Sequence, residues 1–271
     1  MKINSVEGHA PSILPEGNWE LVWHDEFDGT ELDRTKWDYR LSMMGTWHPG
    51  WGDEGVHLDG NSNAVFTVYE KDGMICSSQL QTGSNYMDAV VEKTNAEEYR
   101  FVWPMGQFKE QRFLKKFGYF ECRCKLQKKD GWWSAFWLQS PTIGTSPEPE
   151  KTGVEIDIME SFWPGKTSQH ACHYKGYGPD HACVVVGEGK VVGNDYHTYG
   201  VLWDDNGYTF YIDGEEDGHA DGPVSQTPQF ILISTEVCGY REKGPGMATE
   251  EARAALGDQF IVDYVRVYDR K

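Results

Sequence analysis

Residues 117–139 read FGYFECRCKLQKKDGWWSAFWLQ, and their pattern decides the fold. Phe120, Cys122, Cys124 and Leu126 alternate with Glu121, Arg123 and Lys125, so the apolar set lies on one face only if the backbone is extended. A helix would spread the same residues around its circumference. After the KKDG turn signal comes a second short run, WWSAFWLQ, dense in rings and again of strand length.

Working outward, the same texture recurs. Strand-like runs fall at WELVWHDEF (19–27), NAVFTVYEKDGMICSSQ (63–79), VEIDIMESF (154–162), HTYGVLWDDNGYTFYIDG (197–214), QFILISTEV (229–237) and FIVDYVRVYD (260–269). Gly, Pro, Asn and Asp separate them, and 197–214 reads as a hairpin with Asn206-Gly207 at its tight turn. Residues 141–152 read as a loop, and 239–256 as a polar loop with one helical turn near Glu250–Ala255. Many short strands with little helix predict an all-β antiparallel sandwich. No repeat or linker divides the chain, so 1–271 reads as one domain, with 1–17 as an extended N-terminal segment.

Composition narrows the function. The 271 residues carry a net charge of −18, which argues against nucleic acid or an anionic membrane as partner. No apolar run reaches the eighteen or so residues of a membrane span. The start, MKINSVEGHAPSILPEGNW, has no apolar signal core. Eleven Trp can fill a core and also offer flat surfaces on which ligands stack. The six cysteines (Cys76, Cys122, Cys124, Cys172, Cys183, Cys238) form no CxxC pair and read as small buried hydrophobes. No feature calls for a second copy, and a monomer is expected.

Within 153–160, GVEIDIME, lie Glu155, Asp157 and Glu160 in an otherwise apolar run. Residues two apart share a strand face, which unites Glu155 with Asp157 and sends Glu160 to the other side. One extra residue, a β-bulge near Ile158–Met159, would turn Glu160 back. The outer Cα atoms of an undistorted strand would lie about 13 Å apart. Glutamate side chains leaning together across that span reach the carboxyl separation of about 5–5.5 Å used by retaining glycosidases. One carboxylate then attacks, the other protonates the leaving oxygen, and Asp157 between them holds the nucleophile and keeps the acid protonated. Taken alone, the spacing fits a solvated strand face or a cation site better than a catalytic pair. The surroundings tilt the choice, since Trp132, Trp133, Trp137 and Trp163 flank it and indoles stack on pyranose faces. His170 and His173, three apart in a strand-like run, point to opposite faces, which disfavours a clustered-histidine metal hydrolase.

EIDIME resembles the bulged E-x-D-x-x-E signature of glycoside hydrolase family 16, the β-glucanase, laminarinase and galactanase group with a jelly-roll fold. The likeness runs through LVWHDEFDGTELDRTKWDY, FGYFECRCKLQKKDGWWSAFWLQ, YHTYGVLWDDNGYTFYIDG and FIVDYVRVYD, nearly the whole chain. It implies a concave substrate cleft with Glu155 as nucleophile, Asp157 as its assisting acid and Glu160 as general acid/base. It also places His173 near the cleavage subsite, Trp133 and Trp137 against sugar, and Arg123 on hydroxyls. Asn63 and Trp51, in TWHPGW, fall at outer subsites, with Trp163 among the cleft rings. The chemistry needs no cofactor. The family's structural calcium, bridging first and last strands, would fall to Glu26 and Asp263. WSAFW in place of WPAFW leans toward the agarase-like branch, and HYKGYGPDH (173–181) and ISTEVCGYR (233–241) depart from laminarinase patterns. The expected activity is a retaining endo-β-glycanase on β-1,3- or mixed β-1,3/1,4-glucan, outside the cell, in the periplasm or at the cell surface. The alternatives are a β-galactan hydrolase (agarase- or porphyranase-like), a transglycosylase, and a non-catalytic carbohydrate-binding jelly roll.

Overall fold

The alternating run forms strand Gly118–Lys125, and the ring-dense run after it forms Trp132–Gln139. The two do not pair with each other, because the KKDG segment carries the chain from one layer to the other. Gly131 permits this crossing. Its φ is +98°, and a Cβ there would lie 1.8 Å from the Glu251 carbonyl oxygen.

The computed structural model describes residues 1–90, 109–167, 169–187, 189–237 and 250–271. Two antiparallel sheets pack face to face. One has seven strands in the order Ala182–Val186, Gln169–Tyr174, Glu155–Ser161, Trp132–Gln139, Phe230–Val237, Gln79–Gln81 and Asp38–Tyr39. The other has eight. Its path runs Glu215–Ala220, Gly207–Ile212, His197–Asp204, Gly118–Lys125, Phe260–Arg270, Ala64–Phe66 and Val56–Leu58, with Trp19–Asp25 also on Phe260–Arg270. Hairpin-linked neighbours alternate with pairs distant in sequence, such as Gly118–Lys125 on Phe260–Arg270, as in a jelly roll.

The core lies between the layers. Phe120, Cys122, Cys124 and Leu126 enter it from one sheet, and Phe136, Leu138, Ile156 and Ile158 from the other. Each such side chain removed from water contributes about 1.5–3 kcal/mol. Cys76, Cys122, Cys124 and Cys172 are buried free thiols and Cys183 is exposed, while Cys238 lies outside the described residues.

Three local readings change. In the hairpin, Asp204 pairs with Gly207, so Asp205 and Asn206 form the turn and Gly207 opens the next strand. There the Asn206 amide donates to Asp204 Oδ1 at 2.7 Å, a local bond that fixes the turn one residue early. The run 63–79 breaks after Phe66 into Ala64–Phe66 and a small hairpin, Tyr69–Lys71 with Met74–Cys76, turned at Asp72 and Gly73, both with positive φ. The first seventeen residues are not simply extended, since Lys2–Ile3 pairs antiparallel with Ser12–Ile13. The short helix Glu250–Ala254 falls where a helical turn was expected, and 239–249 lies outside the described residues.

Candidate active site

The strand Glu155–Ser161 carries the bulge that its sequence requires. Against Trp132–Gln139, Phe136 faces Met159 and Trp137 faces Asp157, so Ile158 has no opposite number. Against Gln169–Tyr174, Asp157 faces Ala171 and Glu160 faces Gln169, three steps answered by two. The extra residue is therefore Ile158 rather than Met159. Ile156, Ile158 and Met159 all enter the core, and Glu155, Asp157 and Glu160 all line one cleft on the outer face of the seven-stranded sheet.

That cleft has a volume of about 530 Å³. Its floor includes Trp133, Ala135, Trp137 and Gln139, alternate residues of one strand, with Ser234 and Glu236 from the strand beside it. Glu155 accepts from Gln139 Nε2 at 2.9 Å and from the Tyr177 hydroxyl, through the same oxygen. Burial of that hydroxyl and the Glu155 charge push the Tyr177 pKa well above its usual value, so Tyr177 remains a donor. Asp157 is buried and faces His173 Nε2 at 3.4 Å. The other nitrogen of His173 lies 2.9 Å from His181 Nε2, and the two rings stack at 5.1 Å. Glu155, His173 and Cys183 stand in register across three adjacent strands. Glu155, Asp157 and His173 each offer a donor atom within 4.8 Å of the others, a spacing a cation would also accept. These are the groups that acid–base chemistry at this cleft needs, and Asp157 is already engaged with His173.

Of the remaining expected residues, Trp133, Trp137 and His173 line the cleft. Trp133 packs on Phe162 at 5.1 Å, and Trp163 lies beyond Phe162 at 6.0 Å with 54% of its surface exposed, at the rim. Trp51 is buried behind the wall, stacked on His48 at 4.1 Å with Arg40 5.1 Å above its ring, so it supports the cleft rather than forming an outer subsite. Arg123 and Asn63 belong elsewhere. Strand Gly118–Lys125 lies in the eight-stranded sheet, and its polar side faces away from the cleft. Arg123 there pairs with Asp263 and covers the Tyr196 ring at 4.5 Å, and the Tyr196 hydroxyl donates to Asn63 Oδ1 at 2.9 Å. The two residues expected at a calcium site, Glu26 and Asp263, are each paired with a cationic side chain. Asp263 is neutralised by Arg123, and Glu26 accepts two bonds from buried Arg266, at 2.9 and 2.7 Å.

Sequence reasoning passed over Gln139, Tyr177, His181, Glu236, Arg40 and Asp88, all cleft-lining. The first had a visible signal, because Gln139 continues the alternation of Trp133 and Trp137. Arg40 had none. It comes from the chain between two short strands, donates to Asp88 at 2.8 and 3.2 Å, and lies 5.4 Å over the Trp137 ring. Burial and the nearby Arg40 charge lower the His48 pKa to about 4, so His48 stays neutral beneath the guanidinium.

The comparisons agree with this geometry. Residues 19–270 match the family model described as β-porphyranase A–D, GH16 domain. The chain is 27% identical over 277 residues to "Glucan endo-1,3-beta-glucosidase A1" of Niallia circulans, across 92% of this chain and 37% of that protein. It is 27% identical over 272 residues to "Beta-glucanase" of Rhodothermus marinus, across 93% of this chain and 85% of that one. Thus it spans little more than a third of the first relative's length and most of the second's. The catalytic domain of an endo-1,3-beta-glucanase (laminarinase) from Thermotoga petrophila RKU-1 superposes with a TM-score of 0.64 at 23% identity, across 94% of this chain and 100% of that one, a likeness of fold. A bulged strand that turns three carboxylates into one ring-lined cleft, within a match covering residues 19–270, places the chain in glycoside hydrolase family 16.

Proposed function

We propose that this chain is a retaining endo-β-glycanase that cleaves internal linkages of a β-1,3- or mixed β-1,3/1,4-glucan. The observation that carries the reading is the single bulged strand presenting Glu155, Asp157 and Glu160 to one cleft. Glu155, held by Gln139 and Tyr177, attacks the anomeric carbon, while Glu160 protonates the departing glycosidic oxygen. In the second half-reaction Glu160 takes a proton from a water whose oxygen attacks the anomeric carbon, the bond from that carbon to Glu155 breaks, and the sugar leaves with its configuration retained. Asp157, bridged to His173, keeps the nucleophile oriented between the two steps. Trp133 and Phe162 give the pyranose rings faces on which to stack, while Trp137, under Arg40, floors the cleft.

A neutral polymer suits the charge of the site. Among the described lining residues, Glu155, Asp157, Glu160, Asp88 and Glu236 outnumber the single guanidinium of Arg40, which Asp88 already neutralises. The relatives are themselves named for cleavage of β-glucans. A second reading, hydrolysis of a β-galactan, draws support from the family description as β-porphyranase. A polymer cannot enter an intact cell, so the enzyme acts outside the cytoplasm. One chain holds every group the proposed mechanism uses, so a monomer suffices for it.

The test is a product profile on laminarin, mixed-linkage glucan, agarose, porphyran and xyloglucan, with the anomer first released followed by proton NMR. Oligosaccharides of retained β-configuration from the glucans are expected, and longer transfer products in place of hydrolysis would identify a transglycosylase. Glu160→Gln should lower kcat by about 10²–10⁴-fold, the usual worth of a general acid, and Glu155→Gln at least as much, with both variants folded. Near wild-type hydrolysis by either variant would end the assignment.

A further inference from the structure

A bulge leaves one residue without a ladder partner, and a buried carbonyl without a donor costs about 1–3 kcal/mol. Here the extra residue is Ile158, fully buried. Its carbonyl lies 2.6 Å from His170 Nδ1, and since a carbonyl only accepts, that nitrogen carries the proton. His170 sits on strand Gln169–Tyr174, opposite the break in register, and points inward between the sheets while His173 points to the cleft.

The ring is held from the far layer. It stacks on Phe210 of the eight-stranded sheet at 4.7 Å and an interplanar angle of 11°. Its Nε2 faces Asp217 at 3.4 Å, and Lys190 Nζ lies 3.5 Å from the same carboxylate. The neighbouring His170, above all, with Lys190, keeps the Asp217 carboxyl below its usual value and charged. The approach depends on Gly187, where a Cβ would come within 2.4 Å of Asp217 Oδ2 and 3.2 Å of His170 Cδ2. Phe210 and Asp217 thus fix the imidazole, and the imidazole fixes the carbonyl of Ile158.

We propose that His170 is a positioning residue of the active site, which holds the bulge at Ile158 from within the core and so sets the direction in which Glu160 enters the cleft. The inference rests on the roles proposed above for Glu155 and Glu160. It explains why a histidine stands in the core beneath a strand whose other inward residues are apolar.

His170→Asn and His170→Gln separate this role from simple packing. An Asn amide nitrogen falls near the place of Nδ1 and can still donate to Ile158, whereas a Gln amide falls near the place of Nε2 and cannot. On the polymer that the wild type cleaves fastest, H170Q should lose about 100-fold in kcat with little change in KM, the usual effect of a reacting group displaced by about 1 Å. H170N should retain kcat within about tenfold, at a comparable melting temperature. Equal kcat in the two variants would overturn the proposal. Nitrogen NMR of the wild-type imidazole provides a readout that needs neither variant to fold. A hydrogen-bonded Nδ1–H protected from exchange is expected, and a His170 protonated only at Nε2 would also overturn it. If the wild type cleaves no glycan while Nδ1–H is protected, the glycanase reading has failed and the bulge geometry has not.

Discussion

Tyr177 shows what a single residue adds to the carboxylate triplet. It reaches Glu155 because Lys175 and Gly176, with φ of +65° and +69°, turn the chain back over the cleft. Gly176 packs on Gly144 so closely that a Cβ on Gly144 would lie 2.6 Å from the Gly176 Cα. The carboxylates were legible because all three lie on one strand, where side-chain direction follows from counting. Tyr177 was not, because its position depends on a contact between two loops far apart in sequence. A hydrogen bond to a charged group contributes about 1.5–3 kcal/mol, and Gln139 remains on the same oxygen when the hydroxyl is removed. Tyr177→Phe should therefore lower kcat by about tenfold, the lower end of that range, with KM little changed. Steady-state kinetics on the preferred polymer measures this, and a wild-type kcat would make Tyr177 a wall residue and no more.

Among elements, alternation identified the strands but not the layer each joins. Phe120, Cys122, Cys124 and Leu126 do face the core, yet the polar side of that strand faces away from the cleft, which is why Arg123 was misplaced. Knowing that a strand has two faces does not say which sheet bears the site. The N-terminal hairpin was equally hidden, since its task is to cover polar groups supplied by other strands. Leu14 packs on Tyr119 and Tyr268, the Ile13 amide donates to buried Glu121 at 3.0 Å, and Ser12 and the Ala10 carbonyl accept from Arg266 at 2.9 and 2.8 Å. Deleting residues 1–14 admits water to these partners, so the main loss is Leu14 burial plus part of a hydrogen bond, about 3 kcal/mol. For a chain of this size that corresponds to a fall in Tm on the order of 10 °C. The hairpin contacts strands of the eight-stranded sheet, so kcat/KM well below the transition should stay at the wild-type value. Calorimetry and kinetics on the truncated protein read the two quantities separately, and a lost activity in a folded protein would show that the hairpin supports the cleft as well.

For the whole molecule, charge separates a neutral glucan from a sulfated galactan as substrate. Asp and Glu number 43 against 25 Lys and Arg, and the cleft repeats that excess among its described residues. A negative field repels a sulfated chain at long range and leaves a neutral glucan unaffected. Salt separates the cases, because the Debye length falls from about 30 Å at 0.01 M to about 10 Å at 0.1 M. Across that range kcat/KM on laminarin or mixed-linkage glucan should stay nearly flat. Any residual cleavage of a sulfated galactan should rise several-fold as its repulsion is screened. The opposite slope, a sulfated galactan cleaved best at low salt and losing rate as salt is added, would require a basic surface that outweighs both the −18 net charge and the carboxylates of the cleft. Rates on both polymers against ionic strength therefore test the substrate through the sign of a slope. That sign does not depend on which polymer sample happens to be purer or more soluble.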